Sequence, residues 1–236
     1  MSKKEQIMLD GAHAETDAKN LANTAGSKAL LDNLPKDDAQ IIKNLKKAGF
    51  VIAGKTNLSE WANFRASSST SGWSSVGGQT YNPYNLKYNP CGSSSGSAAI
   101  VAEGIAPASI GTETNGSIVC PASINGVVGV KPTVGLVSRD GIIPISSSQD
   151  TAGPMARSVY DAAIVLEAIS GRDPKDKITF NIPRDYDFKG LTKLDPNYLN
   201  GKRIGVIKIS DDAPEVTKNL TNKIAIVLEN LGATFG

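Results

Sequence analysis

Amphipathic stretches alternate with short apolar runs along this chain, and this alternation limits the possible folds more than any other feature. Asp37 and Asp38 begin a stretch with a helical stripe of apolar residues, which ends at Gly49 and leads into the apolar run 50–53. The same order of helix, glycine and strand recurs around Gly232. Helices that alternate with short strands are typical of a sheet covered by helices. The sequence therefore predicts an α/β fold.

Local patterns predict where the other elements lie. Apolar spacing indicates three further helices and three further strands. The helices span 97–103, 158–169 and 214–231. The strands span 108–112, 127–130 and 203–207. We expect Asn57 to cap a helical turn that runs to Phe64. Residues 66–97 are rich in Ser and Gly but contain four aromatic residues, so we expect an ordered loop region rather than a flexible linker.

The chain divides into a short irregular start and one long core. Residues 1–22 lack a sustained period and are rich in small and polar side chains, which is typical of an irregular N-terminal segment. The element patterns lie within residues 23–236. Inside that core, the Pro-, Asp- and Lys-rich stretch 172–201 predicts a connecting excursion.

Two glycine-rich turns that carry serines are the strongest functional signals. They span 91–97 and 111–117, and each interrupts an apolar segment with residues that allow tight turns. A serine hydroxyl becomes a useful nucleophile only beside a base and a pocket of N–H groups that stabilises an oxyanion. The chain contains a single histidine, His13, which lies far from both turns. A Ser-His-Asp triad is therefore disfavoured, and a base of another kind is needed.

Composition excludes several classes of function. The 25 basic and 23 acidic residues nearly balance, which disfavours nucleic-acid and anionic-lipid partners. No apolar run approaches the roughly 18 residues that a membrane span needs. The first ten residues show no secretory signal pattern, so we expect a cytoplasmic protein. With one histidine and no C-x-x-C motif, the sequence predicts no zinc site, and nothing in it indicates a cofactor.

One cysteine lies beside each serine turn. Cys91 and Cys120 are the only two cysteines, and a single pair is poor evidence for a disulfide. We predict two buried thiols that pack beside the site. A disulfide is the alternative.

A match to a phosphate-binding loop is misleading. Residues 49–56 fit the pattern G-x-x-x-x-G-K-T letter for letter. In that motif a strand precedes the first glycine and the intervening residues form a loop. Here a helix precedes Gly49, and the four intervening residues are apolar and strand-like. We therefore predict that this run binds no nucleotide.

Several motifs together resemble the amidase signature family. They are Thr24-Ala25-Gly26-Ser27, the run 54–60, the two serine turns, and the run 126–133. Residues 61–65, 90–93 and 149–157 most resemble the peptide amidase branch. The match covers 23–171 almost without gaps. The resemblance implies a mixed central sheet flanked by helices, here without the family's usual N-terminal strand and C-terminal half.

The resemblance also implies roles for particular residues. In this family a nucleophilic serine acts with a second serine, which follows a cis peptide bond, and with a lysine. The motifs match the nucleophile to Ser117 and the second serine to Ser93. The lysine would accept a proton from Ser93 while Ser93 accepts one from Ser117, which attacks the amide carbonyl to form an acyl-enzyme. The backbone N–H groups of Thr114, Asn115 and Gly116, with that of Ser117, would form the oxyanion hole.

The family's lysine has no counterpart at the matching position. It stands about 14 residues before the last serine of the Thr-Ala-Gly-Ser motif, which corresponds here to Ala12 or His13. Lys19 lies only eight residues before Ser27. Three interpretations follow. The chain is a fragment or misassembled product of an amidase gene, a non-catalytic homologue, or an enzyme in which His13 or Lys19 is a substitute base.

The resemblance implies hydrolysis of a carboxamide C–N bond, with a peptide C-terminal amide as a candidate substrate. The expected partner is therefore a small-molecule or peptide amide. The unpaired edge of an incomplete sheet also predicts self-association. The alternative function is that of a catalytically silent homologue or fragment that acts as a binding or interaction protein.

Overall fold

The computed structural model describes residues 16–207 and 209–236, together with the backbone of residues 6–9. It divides into two compact units, Met1–Thr192 and Lys193–Gly236. The first unit contains four α-helices and a five-stranded sheet among its described residues. The second contains a two-stranded sheet and one helix.

The sheet of the first unit is mixed. Its strands are β1 (Gln6–Leu9), β2 (Val51–Lys55), β5 (Ala108–Glu113), β6 (Val128–Gly129) and β7 (Thr151–Ala156), and a separate hairpin consists of β3 (Trp73–Ser74) and β4 (Gly78–Gln79). The strand order is β2-β1-β5-β7-β6. Strands β2, β1 and β5 are parallel, whereas β7 is antiparallel to both β5 and β6. The predicted mixed α/β fold is confirmed.

Helices cover both faces of this sheet. They are α1 (Gln40–Lys47), α2 (Ser95–Ala102), α3 (Val119–Ile124) and α4 (Val159–Ile169). Ala156 of β7 packs in one apolar cluster with residues of α1 and α4, while its neighbour Met155 packs in another with Ala98 of α2. Successive side chains of a strand point to opposite faces. The two clusters therefore lie on opposite sides of the sheet, with α2 and α3 on the second side.

Most of the predicted elements are present. Helix α4 begins after Ser158, whose Oγ accepts a hydrogen bond from Asp161 N at 3.1 Å, as an N-cap does. The predicted loop region is ordered by Asn57, whose Nδ2 donates to Gly78 O at 2.9 Å and to Gly72 O at 3.1 Å. The prediction that Asn57 caps a helical turn is therefore wrong, because its amide holds the loop instead. The run 49–56 contains strand β2 rather than a loop, as expected.

Two features of the N-terminal half of the prediction need correction. The irregular segment predicted for residues 1–22 contains β1, so the usual N-terminal strand is not lacking. Four residues are too short to show a period, and β1 is defined by pairing with β2 on one side and β5 on the other. Strands β2 and β6 form the edges of the described sheet. Pairing of such an edge with another chain stays a prediction.

Strand β7 and helix α3 were missed because each contains residues that are rare in its element. Strand β7 has Gly153 and Pro154 at its centre, and both residue types are depleted in strands. Helix α3 contains Pro121 in its first turn, where the missing N–H costs little. Pairing along the whole length of β5 keeps β7 fully buried despite its composition.

The second unit follows the predicted order of strand, helix and strand. Parallel strands β8 (Arg203–Ile204) and β9 (Thr234–Phe235) are joined through helix α5 (Glu215–Asn230). Gly232 has a φ of +89° just after this helix, and Gly201 N donates to its carbonyl at 2.9 Å. A search of the described residues finds no helix long and apolar enough to cross a membrane. The same residues contain no cluster of three or more His, Cys, Asp or Glu side chains suited to a metal.

Candidate active site

The turn that carries Ser117 connects a buried strand to a helix. All six residues of β5 are buried, and the strand runs directly into residues 114–117 and then into α3. Gly116 has a φ of +83°, a conformation that glycine adopts without strain. Ser117 is half-buried and Asn115 is exposed, so this turn is open to solvent. The strand thus presents a serine hydroxyl at the carboxyl edge of the sheet.

The buried carboxylate of Glu113 holds the Ser117 turn in place through hydrogen bonds. Its Oε2 accepts hydrogen bonds from Ile118 N at 2.7 Å and from Val119 N at 2.9 Å. Burial raises the pKa of this carboxyl, but three N–H groups of the turn and the charge of Lys131 together lower it below its ordinary value. Glu113 is therefore ionised at neutral pH, and N–H groups of the turn donate to its negatively charged carboxylate.

Lys131 and Asp150 hold the start of the same turn. Lys131 Nζ donates to Thr114 O at 2.6 Å and lies 3.5 Å from Glu113 Oε1. Thr114 Oγ1 donates to one oxygen of Asp150. The other Asp150 oxygen accepts two backbone N–H groups, those of residues 145 and 146, both at 2.7 Å. Thr114 is therefore held through its carbonyl and its hydroxyl at once.

The second serine turn packs against the first. The Gly92–Ser93 peptide bond is cis, which is the bond where the resemblance places a cis peptide. Ser93 is fully buried, and its Oγ has no hydrogen-bond partner within the described residues. Ser94 N donates to Ser117 O at 3.2 Å, and Ser94 Oγ donates to Thr112 O at 3.2 Å. The fold thus brings the two predicted catalytic serines into adjoining turns.

Glycine is required where these turns approach their neighbours. A Cβ on Gly111 would lie 2.8 Å from Ser94 Oγ, and one on Gly96 would lie 2.6 Å from Asn57 O. Contacts this short force the neighbouring atoms to move, and at Gly96 the neighbour is backbone. Gly111 therefore lets strand β5 pack closely against the Ser93 turn, and Gly96 lets that turn approach the backbone of Asn57.

A disulfide joins the two turns. The prediction of two buried thiols is wrong, because Cys91 and Cys120 are bonded, with their Cα atoms 6.0 Å apart. No local pattern indicates this distance, which arises only when α3 packs beside the Ser93 turn. Disulfides persist mainly in oxidising compartments. The cytoplasmic location stays a prediction.

The two candidate substitute bases are not joined to the serines by anything that the structure shows. Lys19 is exposed, and its backbone N donates to Asp38 Oδ1 at 2.8 Å near the start of α1. It makes no hydrogen bond to the fully buried Ser93 Oγ, so the structure does not support Lys19 as the base. His13 lies outside the described residues.

Another lysine has the properties of a base but points elsewhere. Lys55 ends strand β2, and its Nζ donates to Ala22 O at 2.9 Å. Burial lowers the pKa of this ammonium to about 8, although the negative charge of Asp17 opposes the shift. Its hydrogen bond ties the N-terminal part of the chain to the sheet.

Backbone N–H groups at the Ser117 turn are available for an oxyanion. Within the described part of the chain, Asn115 N and Ser117 N donate no hydrogen bond. The N–H of Gly116 instead contributes to the lowered pKa of Glu113. An anionic oxygen beside Ser117 would therefore find donors that the fold has left unused.

Sequence reasoning missed the residues that support the turn. Glu113, Lys131 and Asp150 all lie in motifs that carry the family resemblance, yet only the serines and the backbone of the turn were given roles. A charged residue at the last position of an otherwise uncharged strand was a usable signal for Glu113. Nothing local could have paired Thr114 with Asp150, because 36 positions separate them.

Comparison with known proteins tests the family resemblance. The family model described as Amidase matches residues 14–236. A crystal structure of native peptide amidase from Stenotrophomonas maltophilia is 54% identical, superposes with a TM-score of 0.93, and is matched over 98% of this chain and 47% of that one. A protein named probable amidase from Arabidopsis thaliana is 48% identical over 213 residues, which are 89% of this chain and 42% of that protein.

A further relative has a different name. One subunit of the glutamyl-tRNA(Gln) amidotransferase of a Sulfurihydrogenibium species is 43% identical over 219 residues, which are 92% of this chain and 43% of that protein. The chain thus spans less than half the length of each of these three relatives. The match of the family model over nearly the whole chain is nevertheless decisive. This chain belongs to the amidase family.

Proposed function

We propose that this protein hydrolyses the C–N bond of a carboxamide, with a peptide C-terminal amide as substrate. The observation that carries the proposal is that a half-buried Ser117 and a fully buried Ser93 lie in adjoining turns, and that Ser93 Oγ has no partner in the described chain. Buried hydroxyls are normally hydrogen-bonded, so an unpartnered one needs a functional explanation. The similarity to a peptide amidase, at 54% identity, supports the choice of substrate.

In the proposed mechanism Ser117 Oγ attacks the carbonyl carbon of the amide. Its proton passes to Ser93, whose own proton passes to a general base. The N–H groups of Asn115 and Ser117, with that of Thr114, stabilise the oxyanion, whereas the Gly116 N–H is bonded to Glu113. The tetrahedral intermediate collapses as the base returns a proton to the leaving nitrogen, which departs as ammonia from a primary amide. Water then attacks the acyl-enzyme and releases the carboxylic acid.

The test measures ammonia from a peptide amide. Wild-type protein should release ammonia, and Ser117→Ala should lower the rate by at least about a thousandfold, since loss of a nucleophile removes the covalent route. Ser123→Ala, which changes an exposed serine of α3, is the matched control and should keep the wild-type rate. Unchanged ammonia release in Ser117→Ala would refute the mechanism.

The general base is proposed to be His13, which stays a prediction because it lies outside the described residues. A neutral imidazole is the usual general base near pH 7. We expect kcat/KM of the wild type to rise with pH across the range in which an imidazole loses its proton. His13→Ala should lose both the rise and most of the activity. An unaltered pH profile in that variant would exclude this base.

A catalytically silent homologue is the second candidate. The observation that favours it is that no base of the described chain is hydrogen-bonded to Ser93 Oγ. This alternative predicts a folded protein that releases no ammonia from any amide and whose Ser117 does not react with serine-directed probes.

A further inference from the structure

A cavity of about 450 Å³ lies against the disulfide that joins the two serine turns. Its lining includes both cysteines and a residue from each flank, Tyr88 before the Ser93 turn and Ile124 at the end of α3. Asn85 and Asn89 also line the cavity. Because Cys91 precedes Ser93 by two residues and Cys120 follows Ser117 by three, this cavity lies next to the candidate active site.

The cavity extends along the face of α3 that begins at the Ser117 turn. Cys120 N donates to Gly116 O at 2.9 Å, which places Cys120 one helical turn beyond Gly116. Ile124 follows four residues later on the same face. From Ser117 to Ile124 the helix rises roughly 10 Å, which corresponds to about three residues of extended peptide.

The chemistry of the wall suits an uncharged peptide. None of the residues that line the cavity is Asp, Glu, Lys, Arg or His. Tyr88 and Ile124 are 65% and 51% exposed, so each offers apolar surface to a ligand. The side-chain amides of asparagine can both donate to and accept from a peptide backbone. Asn89 is itself fixed, since its Oδ1 accepts a hydrogen bond from Cys91 N at 2.9 Å.

We infer that this groove, defined by Tyr88, Cys91–Cys120 and Ile124 with Asn85 and Asn89, binds the acyl part of the substrate. It would take up to about three residues of an extended peptide with uncharged, apolar side chains. The inference rests on the proposed function, because it places the reacting carboxamide at Ser117. It makes Tyr88 and Ile124 specificity-determining residues.

The first experiment measures binding without chemistry. A dye-labelled tripeptide amide, Ala-Leu-Phe-NH2, is titrated with the whole chain and followed by fluorescence anisotropy. Tyr88→Ala should raise the Kd about tenfold, since it removes a large apolar contact. Tyr81→Ala changes a tyrosine that is 53% exposed and does not line the groove, so it should leave the Kd within about twofold.

The second experiment tests whether a charge in the groove reverses its preference for uncharged side chains. Ile124→Glu places a carboxylate in the groove and should weaken binding of Ala-Leu-Phe-NH2 about tenfold while strengthening binding of Ala-Lys-Phe-NH2. Ile105→Glu alters an isoleucine that is 63% exposed and lies outside the groove, and it should change neither Kd. Tyr88 and Ile124 are both largely exposed, and circular dichroism of each variant checks that the fold is retained.

The outcomes separate the groove from the proposed function. Tight binding that depends on Tyr88 and Ile124, without ammonia release, supports the groove and refutes the hydrolysis. Ammonia release from Ala-Leu-Phe-NH2 with a Kd that neither variant alters refutes the groove and leaves the hydrolysis intact. Absence of any binding to the folded wild type overturns the groove, as it would if other polypeptide filled the cavity.

Discussion

At the scale of single residues, one buried carboxylate organises the turn that carries Ser117. Glu113 is 4% exposed, accepts hydrogen bonds from the N–H groups of Ile118 and Val119, and pairs with Lys131. Charge-assisted bonds of this kind are stronger than neutral ones and are costly to break when buried. Because Glu113 is buried, we expect it to make no contact with the substrate. It acts by positioning Ser117 and the N–H groups beside it.

Replacing this charge should therefore weaken both the fold and the chemistry. We expect Glu113→Gln to lower kcat about 10- to 100-fold with little change in KM, and to lower the free energy of unfolding by about 1–3 kcal/mol. Ammonia release and urea unfolding provide the two measurements. Glu167→Gln, which changes a carboxylate of α4 bonded to Thr192, is the control for a generic loss of charge. Equal effects of the two substitutions would contradict the positioning role.

Lys55 predicts how stability changes in alkaline solution. Its folded pKa is about 8, whereas an unfolded lysine titrates near ~10.4. Between these values the unfolded chain binds more protons than the folded one, so the free energy of unfolding should rise with pH. From pH 7 to 9.5 this single group should contribute a rise of about 2 kcal/mol.

Comparison with Lys55→Met isolates that contribution. Urea unfolding is followed by the fluorescence of Trp61 and Trp73, which both belong to the first unit. The rise between pH 7 and 9.5 should be smaller in Lys55→Met than in the wild type by that amount, while exposed Lys47→Met should match the wild type. Parallel pH profiles for all three proteins would show that the Lys55 pKa is not lowered.

At the scale of elements, the disulfide connects the two turns that carry the serines. It closes a loop of 29 residues that contains α2, β5 and the start of α3. A cross-link of this span removes entropy from the unfolded chain, and the expected stabilisation is about 3–4 kcal/mol. The same bond also holds one wall of the groove beside Ser117.

Removing the disulfide should lower stability without changing the chemistry of the serines directly. We expect the double variant Cys91→Ser with Cys120→Ser to lose about 3–4 kcal/mol in urea unfolding. Wild-type protein in excess dithiothreitol should show the same loss. The free energy of unfolding of the double variant should not change when that reagent is added. Identical unfolding curves with and without reductant, for a wild type shown by mass to be reduced, would contradict the prediction.

At the scale of the whole molecule, the sequence predicted the features that depend on local signals but not those that depend on long-range contacts. Helices α1, α4 and α5 were predictable because their apolar stripes and end signals are local. Strand β7 was not, because Gly153 and Pro154 become strand residues only by pairing with β5. The serine turns were found from their residues. The disulfide and the bonds of Glu113, Thr114 and Lys131 depend on segments that only folding brings together.

The central claim is that Ser117 is the nucleophile of this chain, and a fluorophosphonate tests it most directly. Such a reagent forms a covalent P–O bond to an activated serine and releases fluoride, so it reports the nucleophile without requiring an amide substrate. If Ser117 is the nucleophile, we expect a single adduct that peptide mass mapping places on Ser117. Ser117→Ala should abolish the adduct and Ser123→Ala should retain it. A folded wild type that forms no adduct, or an adduct that survives in Ser117→Ala, would contradict the account.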